Sequence, residues 1–241
     1  MGAMRPGESG SDPFARRRQA GAASREETRR RLLQAADALF RERGYAAASV
    51  AAIAERAGVS LQTLYLAWGS KRALLRAATD AAASASALPA APDAWRAQLR
   101  AAVAEAAAAK ASDRTASDAK APGPDATARD YLAALSRLFV QVAERTAPYW
   151  RLHREAAATD LEIAADWVAL THERRRTLAE VARGVPTRGL RPGLDVGEIA
   201  ETLWALASPE LYDLFTVEGG YPVGAYEAWL TRTLGAALCA A

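Results

Sequence analysis

The 241-residue sequence holds one cysteine, Cys239, together with two histidines and two methionines. A lone thiol excludes an intramolecular disulfide and a cysteine-rich metal site, so folding rests on burial, which a chain of this length can supply. Aromatic residues are sparse at 7%, and no apolar run reaches the roughly 18 to 20 residues that cross a bilayer. The opening MGAMRPGESGSDPFARRR lacks the apolar stretch of a secretory signal, so the expected location is the cytoplasm, with no membrane partner. Long alternating runs of Val, Ile and Thr are missing, as are Asn-Gly and Asp-Gly hairpin turns, which argues against a β fold. No phosphate loop, dinucleotide glycine pattern or Ser-His-Asp order occurs. His153 and His172 stand 19 positions apart without clustered cysteines or carboxylates. Neither a metal centre, a catalytic residue nor a cofactor is therefore expected.

What the chain does have is 51% hydrophobic and 24% charged residues, a globular balance, and a net charge of +3 that is unevenly spread. Residues 1–80 carry 14 Lys or Arg against 8 Asp or Glu, net +6, whereas the remainder carries 17 against 20, net −3. A basic first third joined to a near-neutral body fits a nucleic-acid-binding module on a second domain. Part of the excess, Arg16, Arg17 and Arg18, falls in a Gly-, Ser- and Pro-containing stretch that reads as a disordered basic leader over residues 1–24.

From about Arg25 the pattern becomes helical. Leu32, Leu33, Ala36, Leu39 and Phe40 recur on one face, up to a stop at Gly44. Asp93 opens another helix with Trp95, Leu99, Ala102 and Val103 inward, and Ser112–Thr127 reads as a mobile loop. Tyr131, Leu135, Leu138, Phe139 and Val142 resume the periodicity, and Pro148 is expected to end or kink that helix. Further helices are expected over about 160–183, after an Asp195 cap, after Ser208-Pro209, and over about 223–238. The fold class is all-α. The Arg174-Arg175-Arg176 run, with Glu173 and Glu180 nearby, reads as a solvated helix face.

The most informative stretch is Ser49–Trp68, SVAAIAERAGVSLQTLYLAW. Ser49 can cap a short helix whose Val50, Ile53, Ala54 and Ala57 share a face, and Gly58 supplies the open backbone of a tight turn. Ser60 can cap a second helix, and Val59 and Leu64 stand at the spacing of a hydrophobic staple. Two short helices with a glycine turn form a helix-turn-helix, whose second helix enters the major groove by its N-terminal residues. Those residues are Leu61, Gln62 and Thr63: Gln62 can pair with an adenine edge, Thr63 with a base or a thymine methyl, and Leu61 by apolar contact. Tyr65 offers a neutral contact to the backbone. Ser70 and Lys71 begin the next helix, where dipole and charge suit a phosphate oxygen.

The run TRRRLLQAADALFRERGYAAASVAAIAERAGVSLQTLYLAWGSKRALL, Thr28–Leu75, resembles the N-terminal domain of tetracycline-repressor-type (TetR) regulators. Its Leu-Phe, Gly-Tyr, Ile-Ala-x-x-Ala-Gly-Val-Ser, Thr-Leu-Tyr and Ser-Lys-x-x-Leu-Leu stand at that family's spacing. The run RPGLDVGEIAETLWALASPELYDLFTVEGGYPVGAYEAWLTRTL is similar to the end of many actinobacterial members. The resemblance implies an N-terminal three-helix DNA-binding domain over 25–70 and a C-terminal helical ligand-binding and dimerisation domain over 71–241. It implies a homodimer on palindromic operator DNA, usually a repressor, released by a small-molecule effector. Carried over by position, Ser49, Leu61, Gln62, Thr63, Tyr65 and Lys71 contact DNA, with Ser60 as the cap of the reading helix. Two positions depart: Ala67 and Trp68 stand where the family commonly has His and Phe. The resemblance also places a pocket among the helices between Trp95 and about Arg183, with Tyr131, Leu135, Phe139, Tyr149, Trp150 and Trp167 as walls for an apolar effector. As ordinary core those residues would look the same. The stripes Ile199, Leu203, Leu206 and Tyr226, Trp229, Leu230, Thr233, Leu234, Ala237 are expected to pair with a second copy. Two other classes remain open: an all-helical enzyme or carrier with an incidental basic N-terminus, which would not bind DNA tightly, and a DNA-coating protein without sequence preference, which the uncharged Leu61–Thr63 disfavours.

Overall fold

The computed structural model describes residues 13–84 and 127–240, which fall into two units divided between Ala77 and Ala78. The expected leader residues before Pro13, the helix around Trp95 and nearly all of the expected loop at 112–127 lie outside the described residues. Apart from a single antiparallel bridge between Leu190 and Cys239, the described residues carry no strand pairing.

In the first unit, α1 is Pro13–Ala47, α2 Val50–Arg56, α3 Leu61–Trp68 and α4 Lys71–Ser84, the last continuing past the boundary. The helix starts at Pro13, well before the expected Arg25. Proline is suited to a first helical position, and the Ala, Arg and Gln that follow are strong helix formers. Residues 18–20 and 22–25 are exposed, so no apolar stripe marks this stretch as helical. Gly44 breaks α1 with φ 76° and ψ 170°, at the expected stop. Leu32, Ala36, Leu39 and Phe40 on α1 are buried with Ile53 and Ala54 on α2, Leu64 on α3 and Leu74 and Leu75 on α4.

In the second unit α5 is Ala128–Ala157, α6 Leu161–Arg183, α7 Val196–Leu206, α8 Pro209–Asp213, followed by a π-helical turn Leu214–Glu218, and α9 Val223–Leu238. A capping box starts α5, with Thr127 and Asp130 satisfying each other's backbone N–H groups. Pro148 does not end the helix: α5 runs nine residues beyond it. The lost donor to the Glu144 carbonyl is one bond in a 30-residue element that packs on α6, α8 and α9, and that burial outweighs it. Asp160, Asp195 and Ser208 cap α6, α7 and α8 as the sequence suggests.

The core of this unit takes in Tyr131, Leu135 and Phe139 of α5, Leu178 and Val181 of α6, Ile199 and Leu203 of α7, and Tyr226, Leu230 and Leu234 of α9. This corrects the expected pairing surface. Ile199, Leu203, Tyr226, Leu230 and Leu234 are 0–3% exposed within their own chain, and Leu206 and Trp229 pack partly buried against the same core. Each stripe is the inward face of its helix. Solvent meets Val196, Ala205, Ala225, Ala228, Arg232 and Ala236 instead.

Candidate nucleic-acid interface

The turn between α2 and α3 is built from local hydrogen bonds. Ser49 Oγ accepts from Ala52 N at 3.1 Å at the start of α2. At its end Gly58, with φ 64°, donates to Glu55 O at 2.9 Å, and Val59 N donates to Ala54 O at 3.0 Å. These are the paired bonds of a helix stop that needs a left-handed residue, which is why glycine stands there. Ser60 Oγ then accepts from Thr63 N at 3.1 Å and caps α3. Gly69, φ 76°, closes α3, and Ser70 Oγ accepts from Ala73 N at 3.0 Å to open α4.

Within α3, Leu64 is buried at 0%, while Leu61, Tyr65 and Leu66 are 43%, 48% and 82% exposed, and Gln62 is exposed beside them. Leu61, Gln62, Tyr65 and Leu66 follow the helix periodicity of one face, so α3 offers solvent an uncharged strip of two leucines, an amide and a phenol. Leu66 was not among the expected contact residues, although its place four positions after Gln62 marks it. Thr63 lies at the edge of the strip, half-buried, its hydroxyl 2.8 Å from Ser60 Oγ. Thr63 therefore serves first as part of the cap.

Two arginines of α1 hold this motif in place, and sequence patterning alone does not reveal them. Arg31 Nη2 donates to the Ala57 carbonyl and, at 3.4 Å, to that of Gly58, satisfying acceptors that the end of α2 leaves open. Arg29 lies with its guanidinium 3.9 Å from the Trp68 ring centre and donates through Nη1 to the Ala67 carbonyl. Trp68 Nε1 donates back to Arg29 O at 3.2 Å, a bond that a phenylalanine could not make. Lys71 is also engaged: its Nζ donates to Tyr45 O at 2.9 Å and sits 4.1 Å from the Tyr45 ring centre, tying the start of α4 to the Gly44 turn. Arg56 grips Glu42 with two bonds of 2.7 and 2.8 Å, which hold the Glu42 carboxyl below its ordinary range. That pair is exposed and adds little stability.

In the second unit the expected pocket residues fall into two groups. Tyr131 and Trp150 are 19 positions apart on one helix, about 28 Å along its axis, so one small ligand cannot touch both. Tyr131, Leu135 and Phe139 belong to the main core. At the other end Trp150 stacks edge-to-face on Trp167 with ring centres 4.9 Å apart, and its indole N–H donates to Glu210 Oε1 at 2.6 Å. Tyr149 is buried alongside. His153 is fully buried, with Nε2 3.0 Å from Thr79 Oγ1. Among the described residues no group of three or more His, Cys, Asp and Glu could hold a metal ion, and no helix is long and apolar enough to cross a membrane.

Arg174 is not on a solvated face. Its Nη2 donates to Trp204 O at 3.1 Å and Ala207 O at 3.0 Å, capping the end of α7, and burial lowers its guanidinium to about 10. The sequence places charge beside charge on α6 but does not show that α7 ends against it. Arg175 pairs with Glu201 at 2.6 Å in solvent.

Residues 32–78 match the sequence profile of the bacterial regulatory proteins of the tetR family. No curated protein sequence matches the chain. Among solved structures, NalD, the secondary repressor of the MexAB-OprM multidrug efflux pump in Pseudomonas aeruginosa, aligns with a TM-score of 0.57 at 19% identity over 89% of this chain and 96% of its own. A transcriptional regulator from Saccharomonospora viridis in complex with choline aligns at 0.56 and 21% over 90% and 100%. A TetR transcriptional regulator from Chloroflexus aurantiacus aligns at 0.56 and 21% over 91% and 100%. Residues 32–78 are thus similar to the N-terminal segment of tetR-family regulators, and the chain as a whole shares an all-helical fold with these solved structures.

Proposed function

We propose that this chain is a dimeric repressor of the tetR type that reads a palindromic operator with α3 and leaves it when a small molecule occupies the second unit. The observation that carries the reading is the uncharged exposed strip of α3, Leu61, Gln62, Tyr65 and Leu66, within a first third, residues 1–80, that carries a net charge of +6. A protein that only coats DNA needs cations on that face; base reading needs the amide and apolar groups found here. Gln62 supplies the paired bond to an adenine edge, Leu61 and Thr63 the apolar contacts, and Tyr65 and the Ser49 end of α2 backbone contacts. Lys71 lends its charge to the start of α4 while anchored on Tyr45.

Dimerisation uses the outward faces of α7 and α9, where Val196, Ala205, Ala225, Ala228 and Ala236 leave room for close approach of a second copy. Two-fold symmetry then matches two half-sites. The release step runs along α4, a continuous helix from Lys71 to Ser84 whose Thr79 is bonded to the buried His153 of α5. An effector acts by its differential affinity for the two spacings of the reading heads, about 1 to 3 kcal/mol.

Gel shift on the DNA upstream of the protein's own gene, against random DNA at moderate salt, tests the reading. Gln62→Ala is expected to lose about 1 to 3 kcal/mol on the operator and to relax one base pair per half-site. Equal loss on operator and random DNA would refute the assignment of α3. A wild type without tight DNA binding would favour the carrier or enzyme class.

A further inference from the structure

We propose that Arg145 of α5 is the receptor for a carboxylate borne by an otherwise apolar small molecule; this rests on the effector reading above and names the chemical class of its ligand. Helix register places Arg145 on one face of α5 with Leu138, Val142, Tyr149 and Leu152, of which Leu138, Tyr149 and Leu152 are buried and Val142 half-buried. The Nε and Nη2 atoms of Arg145 are buried, and neither has a hydrogen-bond partner among the described residues.

The other half-buried arginines of this unit show what that position ordinarily requires. Arg151 reaches Asp213 Oδ2 at 2.9 Å, and Arg174 reaches two carbonyl oxygens at the end of α7. Arg145 alone of the three lacks a described acceptor, although a buried hydrogen-bond donor demands a partner. The two idle nitrogens also share an edge. Nε–H and the neighbouring Nη2–H point the same way from the planar group, and this pair of parallel donors matches the two oxygens of a carboxylate.

The surroundings select among anions. One guanidinium neutralises one negative charge, so a monoanion leaves no residual charge in the apolar face, whereas a phosphate dianion would bury an excess. An apolar body on the carboxylate suits the leucine, valine and tyrosine that flank Arg145. The reading above expects an apolar effector; Arg145 adds the requirement of one acid group.

Two measurements test the site. In the ligand-free protein Arg145→Met removes two buried donor nitrogens without a described partner, and its Tm is expected to rise above wild type. A fall would show that an acidic side chain of the chain already pairs with Arg145, and would overturn the proposal. In the second, benzoate and decanoate are compared with their neutral amides by thermal shift at the same millimolar concentration. The acids are expected to raise the Tm of wild type and the amides not, with the acid effect weakened at least about tenfold in Arg145→Gln. Binding of neither acid, or equal binding by Arg145→Gln, overturns the site. The same acids added to the operator complex separate this from the functional reading. Acids that bind through Arg145 and release DNA support both; acids that bind and leave the complex intact support the carboxylate site and overturn its role as effector site.

Discussion

Removing the Arg29–Trp68 clamp tests whether the basic charge of α1 acts on DNA or on the fold. Arg29→Met keeps the aliphatic stem and deletes two interactions: the guanidinium 3.9 Å from the Trp68 ring centre and the donor to the Ala67 carbonyl. The first is worth about 0.5 to 1 kcal/mol at a half-exposed site and the second about 1.5 kcal/mol, so the unit should lose about 2 kcal/mol. Trp68→Phe deletes the indole bond to Arg29 O at 3.2 Å, about 1 kcal/mol, and weakens the ring's attraction for the guanidinium. Because both changes strike one contact, the double variant should lose about 0.5 to 1 kcal/mol less than the sum. Urea denaturation followed by circular dichroism measures these values. Operator titrations across a salt series supply the decisive readout. A guanidinium spent on a ring and a carbonyl releases no counterion, so the salt slope should stay unchanged while affinity falls. If Arg29→Met leaves stability within about 0.5 kcal/mol and lowers the slope by about one, Arg29 holds a phosphate and the clamp is incidental.

Three further outcomes follow from the geometry. Gly58→Ala forces a side chain into φ 64° and sets its Cβ 2.9 Å from Arg31 Nη2; with a left-handed penalty of about 1 to 2 kcal/mol and a displaced arginine, the melting temperature and operator affinity should both fall, and an unchanged melting temperature would contradict the turn geometry. Leu230→Arg, at a site 1% exposed, should unfold the second unit, whereas Ala228→Arg on the open face of α9 should give a folded monomer; light scattering with circular dichroism separates the two, and a folded Leu230→Arg monomer would restore the original stripe as the interface. Burial pushes the Tyr226 hydroxyl up to about 12, against about 10 in an unfolded chain. The unfolded form therefore loses this proton first, and stability falls as pH rises between those values, by up to about 3 kcal/mol. Arg174, lowered to about 10, acts in the opposite sense over an overlapping range, so the comparison to make is wild type against Tyr226→Phe, which should lose less stability between about pH 9 and 11.

The sequence by itself determined the features that depend on a few consecutive residues. Ser49, Gly58, Ser60, Asp160, Asp195 and Ser208 act where they stand because a cap or a left-handed stop is satisfied by backbone groups within five positions. The helix-turn-helix was legible for that reason, as was the exposure of Leu61 and Gln62 on the first turn of α3. Tertiary structure decided what each stripe faces. An apolar row on α7 or α9 states that the helix has an inside, and the same row serves a chain's own core or a second copy; only packing against α5 and α6 assigns Ile199, Leu203 and Leu230 to the core. It also decided the use of charge. Arg29, Arg31 and Arg174 find their carbonyl acceptors 26 to 38 residues away, so no local pattern marks them as braces, and composition counts them as free cations. Pro148 shows the same division: proline costs one helical bond locally, and the burial of a long helix, which the sequence does not display, keeps α5 intact around it.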